Sequence, residues 1–215
     1  MTGLSNNKEF LRMSIFFLWL INISGFFGML SDQNEFFLST TPYVLSLTLL
    51  LLILNHDLSD KKSKIGLMLI FLFGLIVELL GVNYGLFFGD YSYGANLGSK
   101  IYGVPYVIGF NWVLLIIATG SVSDKLIKGR EIYKIIFASF LMVLIDLLME
   151  KSAPKLDFWG FVISPVPFSN YLWWFIFSLC FQYIFFKTVK TKEYNLSSNI
   201  LVIQFIFFGM LAVFL

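Results

Sequence analysis

Three carboxylic acids stand where an apolar chain has least reason to place them. Glu78 is flanked by Leu75-Ile76-Val77 and Leu79-Leu80. Asp146 and Glu150 lie four residues apart near the end of another apolar run, and so on one face if that run is helical. Ionisable groups at such positions are costly in a membrane and characteristically face a bundle interior or cavity. No basic residue lies within these runs to pair with them. Burial and like-charged neighbours favour the neutral acid, so at least one carboxyl is expected to carry its proton at neutral pH. A buried carboxylic acid of that kind is a proton donor for a substrate. The plainer reading of Asp146 and Glu150 is that they mark the membrane interface at a helix end. For Glu78 the flanking residues argue against it.

Glycines accompany the first acid. Gly74, Gly81, Gly85 and Gly89 fall at offsets −4, +3, +7 and +11 from Glu78, a small-residue face that a neighbouring helix or a flat ligand could approach. Other polar groups read as structural. His56 sits in a charged connection and is expected to be solvated; Cys180 is mid-run and packs as a small hydrophobe. Asn22, Asn111 and Gln182 are of the type that bonds across helices. No GxxxxGK[ST], HExxH or Gly-x-Ser-x-Gly element is present, so nucleotide-driven, zinc-protease and serine-hydrolase readings lack support.

The elements that must position the acids follow from composition. The 215 residues are 58% hydrophobic and 13% charged, with 26 Phe and 5 Trp. A soluble domain carries about a quarter charged residues. The formal charge of +2 and the scattered lysines do not suggest nucleic acid, and one Cys excludes an internal disulfide. About 20 apolar residues cross the hydrocarbon layer. That length predicts all-α architecture: a single integral membrane domain over 1–215 with about seven transmembrane helices, at 10–30, 37–54, 65–88, 104–121, 132–150, 169–187 and 198–215. Helices rather than open strands are required because lipid offers the backbone no partners. No cleaved leader is expected, since the apolar stretch from Phe10 is followed by no small-x-small site.

Twelve of the 15 Lys and Arg residues fall on one side of this alternation, leaving Lys100, Lys151 and Lys155 on the other. The positive-inside rule then predicts a cytoplasmic N-terminus and an outer C-terminus, in a cytoplasmic membrane. Glu78, Asp146 and Glu150 fall in the outer half. Both long connections are outer as well: Asn83–Gly94 with Gly103-Val104-Pro105, and Leu156–Trp174, which contains Val166-Pro167. They are rich in Gly, Pro and aromatic residues, the composition of turns and of interfacial belts. The two Val-Pro turns hint at internal repetition without establishing it.

The string Glu78-x-x-Gly81-x-x-x-Gly85-x-x-Phe88-Gly89-x-Tyr91-x-Tyr93, followed by Leu97-Gly98 and Gly103-Val104-Pro105, resembles the bacterial and archaeal carotenoid biosynthesis family of membrane 1,2-hydratases. Asp146-x-x-x-Glu150, Asp157-Phe158-Trp159 and Val166-Pro167-x-x-Asn170-Tyr171-x-x-Trp174 look like that family's second block. The resemblance covers roughly residues 70–175, in order. It departs at Lys151, Phe161 and Pro165, where the family commonly has Pro, Trp and Gly.

The resemblance implies cofactor-independent, acid-catalysed addition of water across the terminal 1,2 double bond of an acyclic carotenoid ψ-end. It makes Glu78, Asp146 and Glu150 the catalytic candidates, with no metal. Tyr84, Asp90, Tyr91, Tyr93, Trp112, Trp159, Asn170 and Trp174 become the candidates for holding substrate. Protonation at C2 would leave a tertiary cation at C1 for water to capture, and aromatic faces would stabilise it. The implied partners are the polyene, water, membrane lipid and other carotenoid biosynthesis enzymes. Two other readings stay open: an end-group cyclase, which begins with the same protonation, and a small transporter or proton-coupled carrier, for which intramembrane acids are equally natural.

Overall fold

Each apolar run closes its own backbone hydrogen bonds, and the breaks between runs fall where side chains or backbone geometry stop a helix. The computed structural model describes residues 7–58, 60–190 and 192–215. Among them are eight α-helices: α1 Lys8–Met29, α2 Asn34–Ser39, α3 Thr41–Asn55, α4 Lys61–Tyr84, α5 Tyr106–Leu126, α6 Glu131–Ser152, α7 Phe168–Thr188 and α8 Tyr194–Phe214. Five of these (α1, α4, α5, α6 and α8) are long and apolar enough to cross a membrane. The helix α3 is apolar but has only 15 residues. The stretch expected at 37–54 is in fact split, because α2 ends at Ser39 and α3 restarts with Pro42 in its first turn.

Local chemistry sets the ends that matter. Asp60 caps α4 by accepting from the backbone N–H of Ser63 at 3.0 Å, and Gly85 ends it in the left-handed region at φ 64°. That stop leaves Glu78 nearly two turns inside the helix. Pro105 and Pro167 immediately precede α5 and α7 with φ −65° and −66°, so the two Val-Pro turns do the same job in different places.

The helix α5 is the axis of the bundle. From Val107 to Ser123 every residue except Phe110 is buried, and α3, α4, α6, α7 and α8 all touch it. By contrast α1 buries only five of its 22 residues. The lysine-rich end is tied by Lys134–Asp124 at 2.8 Å and Lys187–Glu131 at 2.7 Å. At the opposite end the long connections form two small ladders that an all-α reading does not include. Strand β1 (Tyr91–Tyr93) pairs antiparallel with β4 (Trp159–Phe161); β2 (Lys100–Ile101) pairs with β3 (Val104–Pro105). A single 3-10 turn, Ala95–Leu97, follows β1 and is held by Asp157, whose Oδ2 accepts from Ala95 N–H at 2.7 Å.

Candidate active site

Glu78 is buried, and both its oxygens are engaged. Its Oε2 accepts from the hydroxyls of Tyr91 at 2.6 Å and Tyr93 at 2.7 Å, and its Oε1 accepts from Trp112 Nε1 at 3.1 Å. The glycine face explains how three rings reach one helical side chain. A Cβ on Gly74 would lie 2.9 Å from the Trp112 ring, and one on Gly81 would lie 2.8 Å from the Tyr91 hydroxyl. The small residues four before and three after the acid therefore make room for its donors. Burial, and next the Glu78 carboxyl, raise both phenols above their ordinary titration range, so both remain donors. Trp112 is held flat by stacking on Trp174, ring centroids 4.2 Å apart.

Asp146 and Glu150 occupy successive turns of α6 and share one partner from α7. Asn170 Nδ2 donates to Asp146 Oδ2 at 2.9 Å and reaches Glu150 Oε1 at 3.4 Å, while Trp159 Nε1 donates to Glu150 Oε2 at 3.1 Å. Pro167 starts α7 three residues before Asn170, which places that amide one turn in, level with the acids. The other oxygen of Asp146, Oδ1, is buried without a hydrogen-bond partner among the described residues. A buried polar atom left unpaired costs about 1–3 kcal/mol and needs a reason.

The β1–β4 ladder closes this region. Its register sets Tyr91 opposite Phe161 and Tyr93 opposite Trp159, and residues two apart on a strand share a face. Four aromatic rings therefore converge over the acids. Glu78, Asp146 and Glu150 line one pocket with Tyr91, Tyr93, Trp159, Asn170 and Trp174, and its free volume is about 20 Å³. Roughly 10–15 Å³ of such volume admits one water, so there is room for about one.

The structure thus brings together all three acids and six of the eight residues expected around them; Trp112 joins through Glu78 rather than by lining the pocket. It does not bring in Tyr84 or Asp90. Tyr84 is the last residue of α4 and 73% exposed, and Asp90 is an exposed turn residue whose backbone carbonyl accepts from Val162 N–H. Both precede the strand that turns the chain inward. Sequence reasoning passed over Ile108 and Met149 and gave Phe88 no role of its own; all three line the pocket and carry no polar signal. Phe161, at a point of departure from the family pattern, packs on Tyr91 with ring centroids 5.5 Å apart.

The polar residues read as structural fare unevenly. Gln182 bonds across to α5 through Ile116 O and Thr119 Oγ1, whereas Asn22 bonds within its own helix to Leu18 O. Asn111 does neither and lines the acid pocket. Cys180 is exposed on the bundle surface rather than packed inside. His56, expected in solvent, is buried: Nδ1 donates to Leu52 O at 2.9 Å, and Nε2 accepts from Glu193 N–H at 3.2 Å and lies 3.3 Å from Ser121 Oγ. The connection to α8 folds over it, which composition around residue 56 does not reveal. Among the described residues, no three His, Cys, Asp or Glu side chains are arranged to hold a metal ion.

Comparison with known proteins bears on most of the chain. Residues 39–215 match the family model described as carotenoid biosynthesis protein. A bisanhydrobacterioruberin hydratase of Haloarcula japonica is 25% identical over 159 residues, which cover 69% of this chain and 54% of that protein. The chain therefore spans about half the length of the curated relative it matches. No solved structure matches it. With a match running from the end of α2 to the last residue and including every acid of the pocket, the chain belongs to the carotenoid biosynthesis protein family.

Proposed function

We propose that the chain hydrates the terminal 1,2 double bond of an acyclic carotenoid ψ-end, acting without a cofactor. The observation that carries this reading is the unpartnered Oδ1 of Asp146, in a pocket with room for about one water. A protonated Asp146 is the general acid. Its O–H bond breaks as the alkene π electrons form a C–H bond at C2, leaving a tertiary cation at C1. The water oxygen forms the C–O bond to C1 and its surplus proton passes to Glu150, which shares Asn170 with Asp146. That proton returns to Asp146, so alkene and water give a tertiary alcohol with no net proton or electron.

Glu78 has a different part. Three donors converge on it, the arrangement an ionised carboxylate requires, since it accepts and cannot donate. As a fixed anion it stabilises the cation that develops at C1. The rings of Tyr93, Trp159 and Trp174 add roughly 0.5–2 kcal/mol each where a face meets the cation.

We further infer seven membrane spans with a cytoplasmic N-terminus, in the cytoplasmic membrane. Five long apolar helices, the apolar α3 and the 21-residue α7 supply the spans, and the lysine distribution supports the direction. The acid pocket then faces the outer half of the bilayer.

Expression in a bacterium that makes lycopene, followed by mass analysis of its pigments, tests the reaction. New pigments heavier by one or two waters are expected. Pigments of unchanged mass but cyclised ends would make the protein a cyclase. Unchanged pigments, despite protein in the membrane, would remove hydration of lycopene.

A further inference from the structure

Next to the acid pocket lies a much larger space. Its free volume is about 540 Å³, and its walls come from α1, α2, α3, α5, α6 and α8 with Phe158 and Trp159. None of α1, α2, α3 or α8 contributes to the acid pocket. Four residues line both spaces: Ile108, Asn111, Met149 and Trp159. The two are therefore neighbours across a thin partition, with Asn111 its one amide and Trp159 the ring that also donates to Glu150. The side-chain amide of Asn111 has no hydrogen-bond partner among the described residues.

The walls and the mouth both suit a hydrocarbon chain. Leu20, Ile21, Val44, Leu45, Phe207 and Phe208 supply apolar surface on three separate helices. Leu20 and Phe36, both at the cavity, are 51% and 64% exposed, so its apolar lining reaches the surface of the bundle. Gly25 leaves part of the wall empty: a Cβ there would meet only Phe207, at 3.9 Å.

The geometry points to this cavity as the berth for the terminal isoprenoid segment of the substrate, entered laterally from the bilayer between α1 and α2. The inference rests on the hydratase reading for the reaction but not for the binding. With more than twenty times the free volume of the acid pocket, the space takes many carbon-sized groups. That is an end segment of a long polyene, with the remainder left in lipid. The acid pocket, with room for about one water, holds the water, and the partition at Asn111 and Trp159 is where the terminal double bond meets the acids. Recognition is thus of one chain end, and the far end of the polyene goes unread.

The test fills the cavity from positions outside the acid pocket. Gly25→Leu and Val44→Phe add bulk on α1 and α3, and neither position lines the acid pocket. Each is assayed in vesicles loaded with lycopene. Lycopene retention is measured on purified Asp146→Asn protein in nanodiscs, with and without Gly25→Leu. A rise in KM of about tenfold for both variants with kcat little changed is expected, the signature of lost ground-state binding. Loss of lycopene retention when Gly25→Leu is added is expected alongside it. Hydration by the wild type together with unchanged KM and unchanged retention would overturn the berth while leaving the hydratase reading intact. No hydration by the wild type, but retention that Gly25→Leu abolishes, would keep the berth and sink the reaction. A polyene with one ψ-end and one cyclised end is expected to show the KM of lycopene; a large difference would contradict recognition of a single end.

Discussion

The two ends of this bundle each bury an ionisable group, and they satisfy it differently. At the lysine-rich end both ring nitrogens of His56 are engaged, by Leu52, Glu193 and Ser121. At the other end Asn170 engages one oxygen of Asp146 and, among the described residues, nothing engages the other. A group that only holds structure does best with every valence filled. A group that must act on something arriving later keeps one open. By that measure His56 is a fastening between α3, α5 and the connection to α8, and Asp146 has the open valence that the proposed general acid needs. Glu78 lies between the two: both its oxygens are engaged, as both His56 nitrogens are, but by donors that suit an anion.

The largest effect should come from removing the proton while keeping the shape. Asp146→Asn preserves the size of the side chain and an acceptor for Asn170, so membrane insertion and thermal stability should hold. Product formation should fall by about 10²–10⁴-fold, the usual worth of a general acid. Glu78→Gln should cost about 10²–10³-fold through lost charge, again with insertion intact. Near-normal turnover in either variant, measured by pigment analysis, would remove that residue from the mechanism.

His56 offers the contrasting test, because its effect should appear in stability. Burial, which disfavours the charged ring, lowers its pKa from 6.5 to about 4. Between those values the unfolded chain takes up a proton that the folded chain refuses. Stability is therefore complete above pH 6.5 and is lost as pH falls toward 4, by on the order of 3 kcal/mol. Thermal unfolding in detergent across that range should show this contribution as the difference between wild type and His56→Gln, with little change in turnover per folded molecule. Parallel profiles for the two proteins would contradict the buried, neutral histidine.

A smaller effect separates the donors to Glu78. Tyr93→Phe removes one of three and leaves the ring, so turnover should drop by about tenfold, near the value of one hydrogen bond to a charged group. A loss as large as that of Glu78→Gln would mean that the hydroxyl itself takes part in proton transfer.

Much of this was legible in the sequence, for identifiable reasons. An acid inside Leu75–Leu80 is conspicuous because so little else there is polar, and a four-residue spacing puts Asp146 and Glu150 on one face without any tertiary knowledge. The long helices followed from apolar length. What stayed hidden depends on contacts between distant segments. Three-residue strands at 91–93 and 159–161 carry no periodicity to detect, yet their pairing sets four rings over the acids. Gly74 and Gly81 were visible as a small face, but not that Trp112 and Tyr91 would fill it. The histidine looked solvated because its neighbours in sequence are charged, while its neighbours in space are Leu52, Ser121 and Glu193. Tyr84 and Asp90 shared the composition of the functional loop and fell on its exposed side.

The most direct measurement of the central claim uses labelled water. Purified protein in nanodiscs is given lycopene in D₂O enriched in ¹⁸O, and the product is resolved by mass and NMR. The account requires one deuterium at C2 and one ¹⁸O in the hydroxyl at C1 for each hydrated end, and neither label from the Asp146→Asn protein. Product carrying the deuterium without the oxygen, closed into a ring, would contradict hydration; a hydroxyl without ¹⁸O would contradict water as the nucleophile.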